Sequence, residues 1–147
     1  MKRTLGTLIV IFATAMTQAQ LGKSDVPAFH DKPPATGEKL PAIWTQKQLA
    51  AGGFTAPFQK EAYAAAAKAP GVMYQMPCLC HCDQHAGHTS LHSCFEGAHG
   101  ANCGICAAEA LYTYQMSKKG WTAQMIRDSI IRGEFKSIDL QHPQHVM

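Results

Sequence analysis

The chain has 147 residues, 46% of them hydrophobic, and a formal net charge of +3, which suits a single domain. Setting aside Lys2 and Arg3 of the apolar N-terminal stretch lowers the charge from +3 to +1 and leaves no block of like charge, which argues against a nucleic-acid binder. What stands out is sulfur and imidazole: six cysteines, all between positions 78 and 106, and eight histidines.

The first element is "MKRTLGTLIVIFATAMTQAQ". Lys2 and Arg3, an apolar run from Leu5 to Met16 and a small-residue site predict a secretory signal peptide over 1–19, cut between Ala19 and Gln20. The run is too short and too soon followed by polar residues for a spanning helix, so no stable membrane span is expected after cleavage. No cysteine follows it to carry a lipid anchor. The expected location is therefore periplasmic or extracellular, where bare thiols become disulfides or metal ligands.

Residues 20–43 contain four prolines and little apolar periodicity, so they read as a flexible leader in which His30 is a solvated loop residue. The Cys/His-rich helical domain is assigned to 44–136. "TQKQLAAGG" suits a short helical turn capped by Thr45 and stopped by Gly52 and Gly53. "TAPFQKEAYAAAAKAPG" predicts a longer helix with Pro57 in its first turn, Phe58, Ala62, Ala65 and Ala66 on one face, and Pro70-Gly71 as its end. Met73 and Met76 follow as core filler ahead of any role as thioether ligands.

From Cys78 to Gly104 no periodicity is clean, and large apolar side chains are too few to hold the segment by burial. It must be cross-linked. A brief helix over "TSLHSCF" is expected inside it, capped by Thr89 or Ser90. "NCGICAAEALYTYQMSKKG" predicts a second long helix, with Asn102 as cap, Cys103 at the first helical position, Lys118 and Lys119 at the negative end and Gly120 closing it. "TAQMIRDSIIRGEF" predicts a third, capped by Thr122, with Met125, Ile126, Ser129 and Ile130 on one face and Trp121 packing on Ile126. The short link between these two helices makes a C-terminal hairpin. Residues 137–147 read as a frayed tail. The expected fold is all-α: about three main helices around a cross-linked Cys/His-rich loop.

The chemistry lies in Cys78, Cys80 and Cys82, then Cys94, then Cys103 and Cys106. The last two form C-x-x-C at a helix start, where both thiols face one side and the helix dipole favours thiolate. In an extended C-x-C-x-C run the three sulfurs line one face, with His81 pointing away. A bridge between Cys78 and Cys80 is disfavoured by strain, so their partners lie elsewhere. Two short-spaced pairs are what a tetrahedral sulfur site wants, and soft sulfur in numbers suits copper(I) as well as zinc. His88 and His92, at i, i+4, face one ion if their stretch is helical, with His85 and His99 flanking them. Six cysteines also admit a fully bridged framework, in which Cys78–Cys94 or Cys82–Cys103 are conceivable pairs, and C-x-x-C admits thiol–disulfide exchange. Ala107 stands where covalent haem attachment needs histidine. No catalytic residue and no organic cofactor is singled out; Glu96 and Glu109 are the carboxylates nearest the cluster besides Asp83.

The stretch "MPCLCHCDQHAGHTSLHSCFEGAHGANCGICAAEALYTYQ" resembles the family of exported bacterial proteins with a PCYCGC motif, many of them lipoproteins, which has no established function. The likeness spans roughly 76–135, with Leu79 in place of the motif's tyrosine and His81 in place of its glycine. It implies a shared site of Cys78, Cys80, Cys82, His88, Cys94, His99, Cys103 and Cys106. In layout alone the chain is also similar to the helical thiol proteins of cytochrome c maturation. The reading that follows is an exported, non-enzymatic metal-binding protein that handles copper(I) or zinc, with a metal ion and a second exported protein as partners. A disulfide-stapled interaction module and a thiol–disulfide exchanger stand as alternatives.

Overall fold

The computed structural model describes residues 25–143 and 145; the expected signal peptide lies outside them. Among the described residues the protein is all-helical, and no helix is long and apolar enough to cross a membrane.

Helix α1 (Gln46–Ala51) begins at a capping box. The Thr45 hydroxyl accepts the Gln48 N–H at 3.3 Å, and the Gln48 side chain accepts the Thr45 N–H at 2.8 Å. Helix α2 (Pro57–Lys68) starts at Pro57, whose missing N–H costs nothing in a first turn. The helix ends at Lys68, with Ala69 leaving helical geometry just ahead of Pro70-Gly71, as expected. Those two residues then open a further short helix, α3 (Pro70–Met73).

Two short helices flank the central loop: α4 (Cys82–His85) and α5 (His99–Asn102). Between them a 3-10 turn spans Leu91–Phe95, with Ser90 at the N-cap position but without a capping hydrogen bond from its hydroxyl. The long helix α6 (Gly104–Lys118) follows, then α7 (Ala123–Ile131), where the Thr122 hydroxyl accepts the Met125 N–H at 3.2 Å. A last 3-10 turn covers Glu134–Ser137. Asn102 is not the cap of α6. It ends α5 with its amide on the Ala98 carbonyl, and Cys103 takes the extended cap position, which turns its sulfur out of the helical spiral.

The central packing is α2 against α6. Ala62, Ala65 and Ala66 meet a helix rich in Ala107, Ala108 and Ala110, all buried, and small side chains let the two axes approach. Tyr63, Leu111, Ile126 and Ile130 complete the core. Ser129 is also buried on α7, whereas Met125 is 49% exposed, so it stands outside the expected face.

Residues 25–43 form no helix or strand but run along the domain. His30, expected in solvent, stacks on Tyr74 at 3.7 Å between ring centroids. The Arg127 guanidinium lies 4.4 Å from the Phe29 ring centre and donates to the His30 and Gln75 carbonyls. After the last turn, Ile138 and Leu140 pack back on the core.

Candidate metal centre

The loop is held in place before any sulfur is considered. Tyr63 on α2 donates its hydroxyl to the Gly97 carbonyl at 2.5 Å and accepts the Ala101 N–H at 3.1 Å; burial pushes its pKa up to about 12. Its ring meets Phe95 edge-on, at 4.9 Å between centroids. Gln59, also on α2, donates to the Ala101 carbonyl at 2.9 Å. The Leu91 N–H returns to the Met76 carbonyl at 2.8 Å, which closes the loop on itself.

The C-x-C-x-C run is not extended. The His81 N–H reaches back to the Cys78 carbonyl at 3.0 Å, and His81 adopts φ 57°, ψ 33°, the left-handed region that favours glycine. The glycine of the resembled motif falls at this position. The turn survives its replacement, and it gathers the sulfurs of Cys78, Cys80 and Cys82 within 4.8 Å of one another.

All eight residues singled out from the sequence converge. Cys78 lies 3.4 Å from Cys80 and 3.3 Å from Cys106, and Cys80 lies 3.6 Å from Cys106, sulfur to sulfur. Cys82 and Cys94 are 3.5 Å apart. His88 directs Nδ1 at the Cys94 sulfur at 3.3 Å, and His99 directs Nε2 at the Cys80 sulfur at 3.7 Å. Cys103 joins Cys80, His99 and Cys106 in a quartet of donors within 4.8 Å of one another; Cys82, His88, Cys94 and His99 form a second. A sulfur–sulfur bond needs ~2.05 Å. Sulfurs sharing one tetrahedral ion at ~2.3 Å lie ~3.8 Å apart. The observed spacing is much nearer the second, and all six cysteines are free. Cys78, Cys82, Cys94 and Cys106 are fully buried, while Cys80, Cys103, His88 and His99 are half-buried.

Crowding makes these sulfurs share protons unequally. Contact with Cys103 first, then with Cys106, holds Cys80 far below the ordinary thiol range, at about 2. Cys103 first, then Cys78, push the buried Cys106 up. Burial works against charge on His99, but the adjacent Cys80 sulfur prevails and raises it. The start of the 15-residue α6 adds its dipole beside Cys103 and Cys106. Soft sulfur and imidazole donors of this kind fit a thiophilic ion.

Two carboxylates that the sequence reading did not single out support the site. Glu109, fully buried on α6, accepts the Leu79 N–H at 2.9 Å and so pins the middle of the C-x-C turn; burial pushes its pKa up to about 8. The signal was present as the spacing of three between Cys106 and Glu109, which puts both on one face of α6. Asp83 accepts the Ala28 N–H at 3.1 Å, and this contact lays Pro27 and Ala28 over Cys78, Cys82 and His88.

The remaining histidines lie elsewhere. His92 does not pair with His88 toward one site, because His88 lies in the loop ahead of the 3-10 turn and the two share no helix face; the His92 Nδ1 meets Glu96 at 2.9 Å. His81 meets the Gln84 side chain at 3.3 Å, and His85 is exposed, its ring centre 6.4 Å from that of His99. Met73 and Met76 are fully buried in the core.

A family model described as a protein of unknown function with a PCYCGC motif matches residues 53–138, from the end of α1 to the last 3-10 turn. No curated protein and no solved structure matches the chain.

Proposed function

The chain belongs to the PCYCGC-motif family of proteins of unknown function, and on that premise we propose that it is an exported protein that binds a thiophilic metal ion, copper(I) or zinc, for storage or delivery. The observation that carries this reading is the convergence of six sulfurs with two imidazole nitrogens. Imidazole nitrogens directed at sulfur, as in His88 toward Cys94 and His99 toward Cys80, are not needed by a disulfide framework but would complete a ligand shell. The triangle of Cys78, Cys80 and Cys106 likewise gives each sulfur two sulfur neighbours, whereas a bridge takes one. Cys80 and Cys103 reach the surface, so an ion has a route in and out.

Sulfur proximity also supports a second reading, in which Cys78–Cys106 and Cys82–Cys94 close as disulfides after export. One preparation separates the two. The mature protein is isolated from an exporting host without reductant, and its metal content and free thiols are measured. Bound copper or zinc, with thiols that alkylate only after chelation, is the expected result. Metal-free protein with oxidised cysteines that resist mild reductant refutes it in favour of the staple. One readily reduced pair including Cys103 refutes it in favour of thiol–disulfide exchange.

A further inference from the structure

The number of donors exceeds what one ion can use. A tetrahedral ion takes four ligands, and eight donors meet here. If one ion sat among Cys80, Cys103, Cys106 and His99, then Cys78, Cys82, Cys94 and His88 would be left over. Three of these four are at most 2% exposed, Cys82 and Cys94 are 3.5 Å apart, and His88 still points at Cys94. A remainder with that geometry is itself a ligand set.

The eight residues divide into two quartets with none left over. The outer quartet is Cys80, Cys103, Cys106 and His99, which opens toward solvent through Cys80, Cys103 and His99. The inner quartet is Cys78, Cys82, Cys94 and His88, roofed by Pro27 and Ala28. His99 lies near both quartets, but an imidazole nitrogen has one lone pair, and Nε2 at 3.7 Å from Cys80 assigns it to the outer one. Cys78 is the inner sulfur at the boundary between the two sets: it lies within 4.8 Å of Cys82 and Cys94 and at 3.3 and 3.4 Å from Cys106 and Cys80. Charge points the same way. Six thiolates against one divalent ion leave −4 in a largely buried volume, and against two they leave −2, which lowers the cost of uncompensated buried charge.

We propose that the site is polynuclear: at least two thiophilic ions share one cluster, an outer and an inner, that meet at the Cys78 sulfur. This inference rests on the metal-binding reading above, and the test keeps the two apart. Reduced, metal-free mature protein is loaded with Zn(II), and separately with Cu(I) under argon, each buffered by a competing chelator, and stoichiometry is read by native mass spectrometry. Two or more ions per chain with either metal, and all six thiols protected from alkylation, is the expected result. No more than one ion with each metal overturns the polynuclear site while leaving metal binding intact. No ion with either metal overturns both.

Site assignment is read from variants. His88→Ala is expected to lose one zinc and keep Cys103 protected; Cys103→Ser is expected to lose one and keep Cys94 protected. Should His88→Ala lose its helical circular dichroism signal, the half-exposed Cys103→Ser carries the test alone. Retention of two ions by a folded variant of each kind overturns the division into quartets.

Discussion

Replacing His81 by glycine is expected to stabilise the protein, although it removes a side chain. His81 is the one non-glycine residue with positive φ among those described, at 57°. A residue with a Cβ costs ~1–2 kcal/mol there, and glycine removes that cost. Against it stands the greater freedom of glycine in the unfolded chain, ~0.5–1 kcal/mol. The exposed contact between His81 and Gln84, at 3.3 Å, is too weak to change the balance. The net gain is about 0.5 kcal/mol, and the comparison with His81→Ala sharpens it, because alanine keeps the Cβ and should stay within a few tenths of the parent. Urea unfolding of the reduced, metal-free protein reads the difference as a rise in midpoint of ~0.2–0.5 M at a typical slope. Metal stoichiometry should not change, since His81 lies outside both quartets of donors. A glycine variant less stable than the alanine variant would refute the strain argument. It would mean that the turn is not left-handed at this residue, and that the sulfurs are gathered in another way.

The remaining expectations concern the scaffold around the cluster. A Cβ on Gly100 would fall 2.8 Å from the Phe95 ring and 3.0 Å from the Cys94 carbonyl, so Gly100→Ala should cost ~1–3 kcal/mol by overpacking and weaken metal retention through Cys94, both read by unfolding with and without metal. Glu109→Ala strands the Leu79 N–H and opens a cavity, for a loss of ~2–4 kcal/mol, whereas Glu109→Gln keeps an acceptor at 2.9 Å and should recover most of it; equal losses would deny the pinning role. Asp83→Ala removes the acceptor of the Ala28 N–H, so alkylation of Cys82 in the reduced apo-protein should rise about five- to tenfold with Cys80 and Cys103 unchanged, while Asp83→Asn stays near the parent rate. Free zinc or copper(I) at about a thousand times its dissociation constant should raise unfolding stability by ~4 kcal/mol; a midpoint independent of metal would contradict binding to the folded cluster.

The helices were legible because their punctuation is local. Thr45, Pro57, Thr122 and Gly120 act within a turn of themselves, and each sits where its chemistry requires. The cysteine ligand candidates were legible for a different reason: soft donors crowded into one short stretch point to a shared site whatever the surrounding fold. What local reading missed is long-range. Nothing near Glu109 announces that its partner is the Leu79 N–H, thirty residues earlier in the chain. His92 illustrates the opposite error. The i, i+4 spacing with His88 is meaningful only on an α-helix, and His88 lies in non-helical chain ahead of the short turn that holds His92. Asn102 was a sound cap by composition, yet Cys103 took the cap position, where its extended backbone delivers a sulfur to the cluster. Packing around the cluster overrode capping preference there.

The position of the sulfurs bears on how this small domain is stable at all. Cys78, Cys82, Cys94 and Cys106 belong to the same buried cluster as Met76, Leu91, Phe95 and Leu111. They are therefore core side chains as well as candidate ligands, and the loop from 78 to 104 has little else large and apolar to bury. A thiol packs there as a small hydrophobe, so the apo-protein keeps a core. On the proposed reading, deprotonation and metal binding would convert the same contacts into bonds, and binding free energy would become folding free energy. Helices α2 and α6 carry the tyrosine, glutamine and glutamate that fix the loop, and α6 carries Cys106 at its start. Loss of one ligand should therefore be felt as loosening of the loop against both helices, and loss of one scaffold contact should be felt as weaker metal retention. Affinity and stability in this protein are two readings of one cluster.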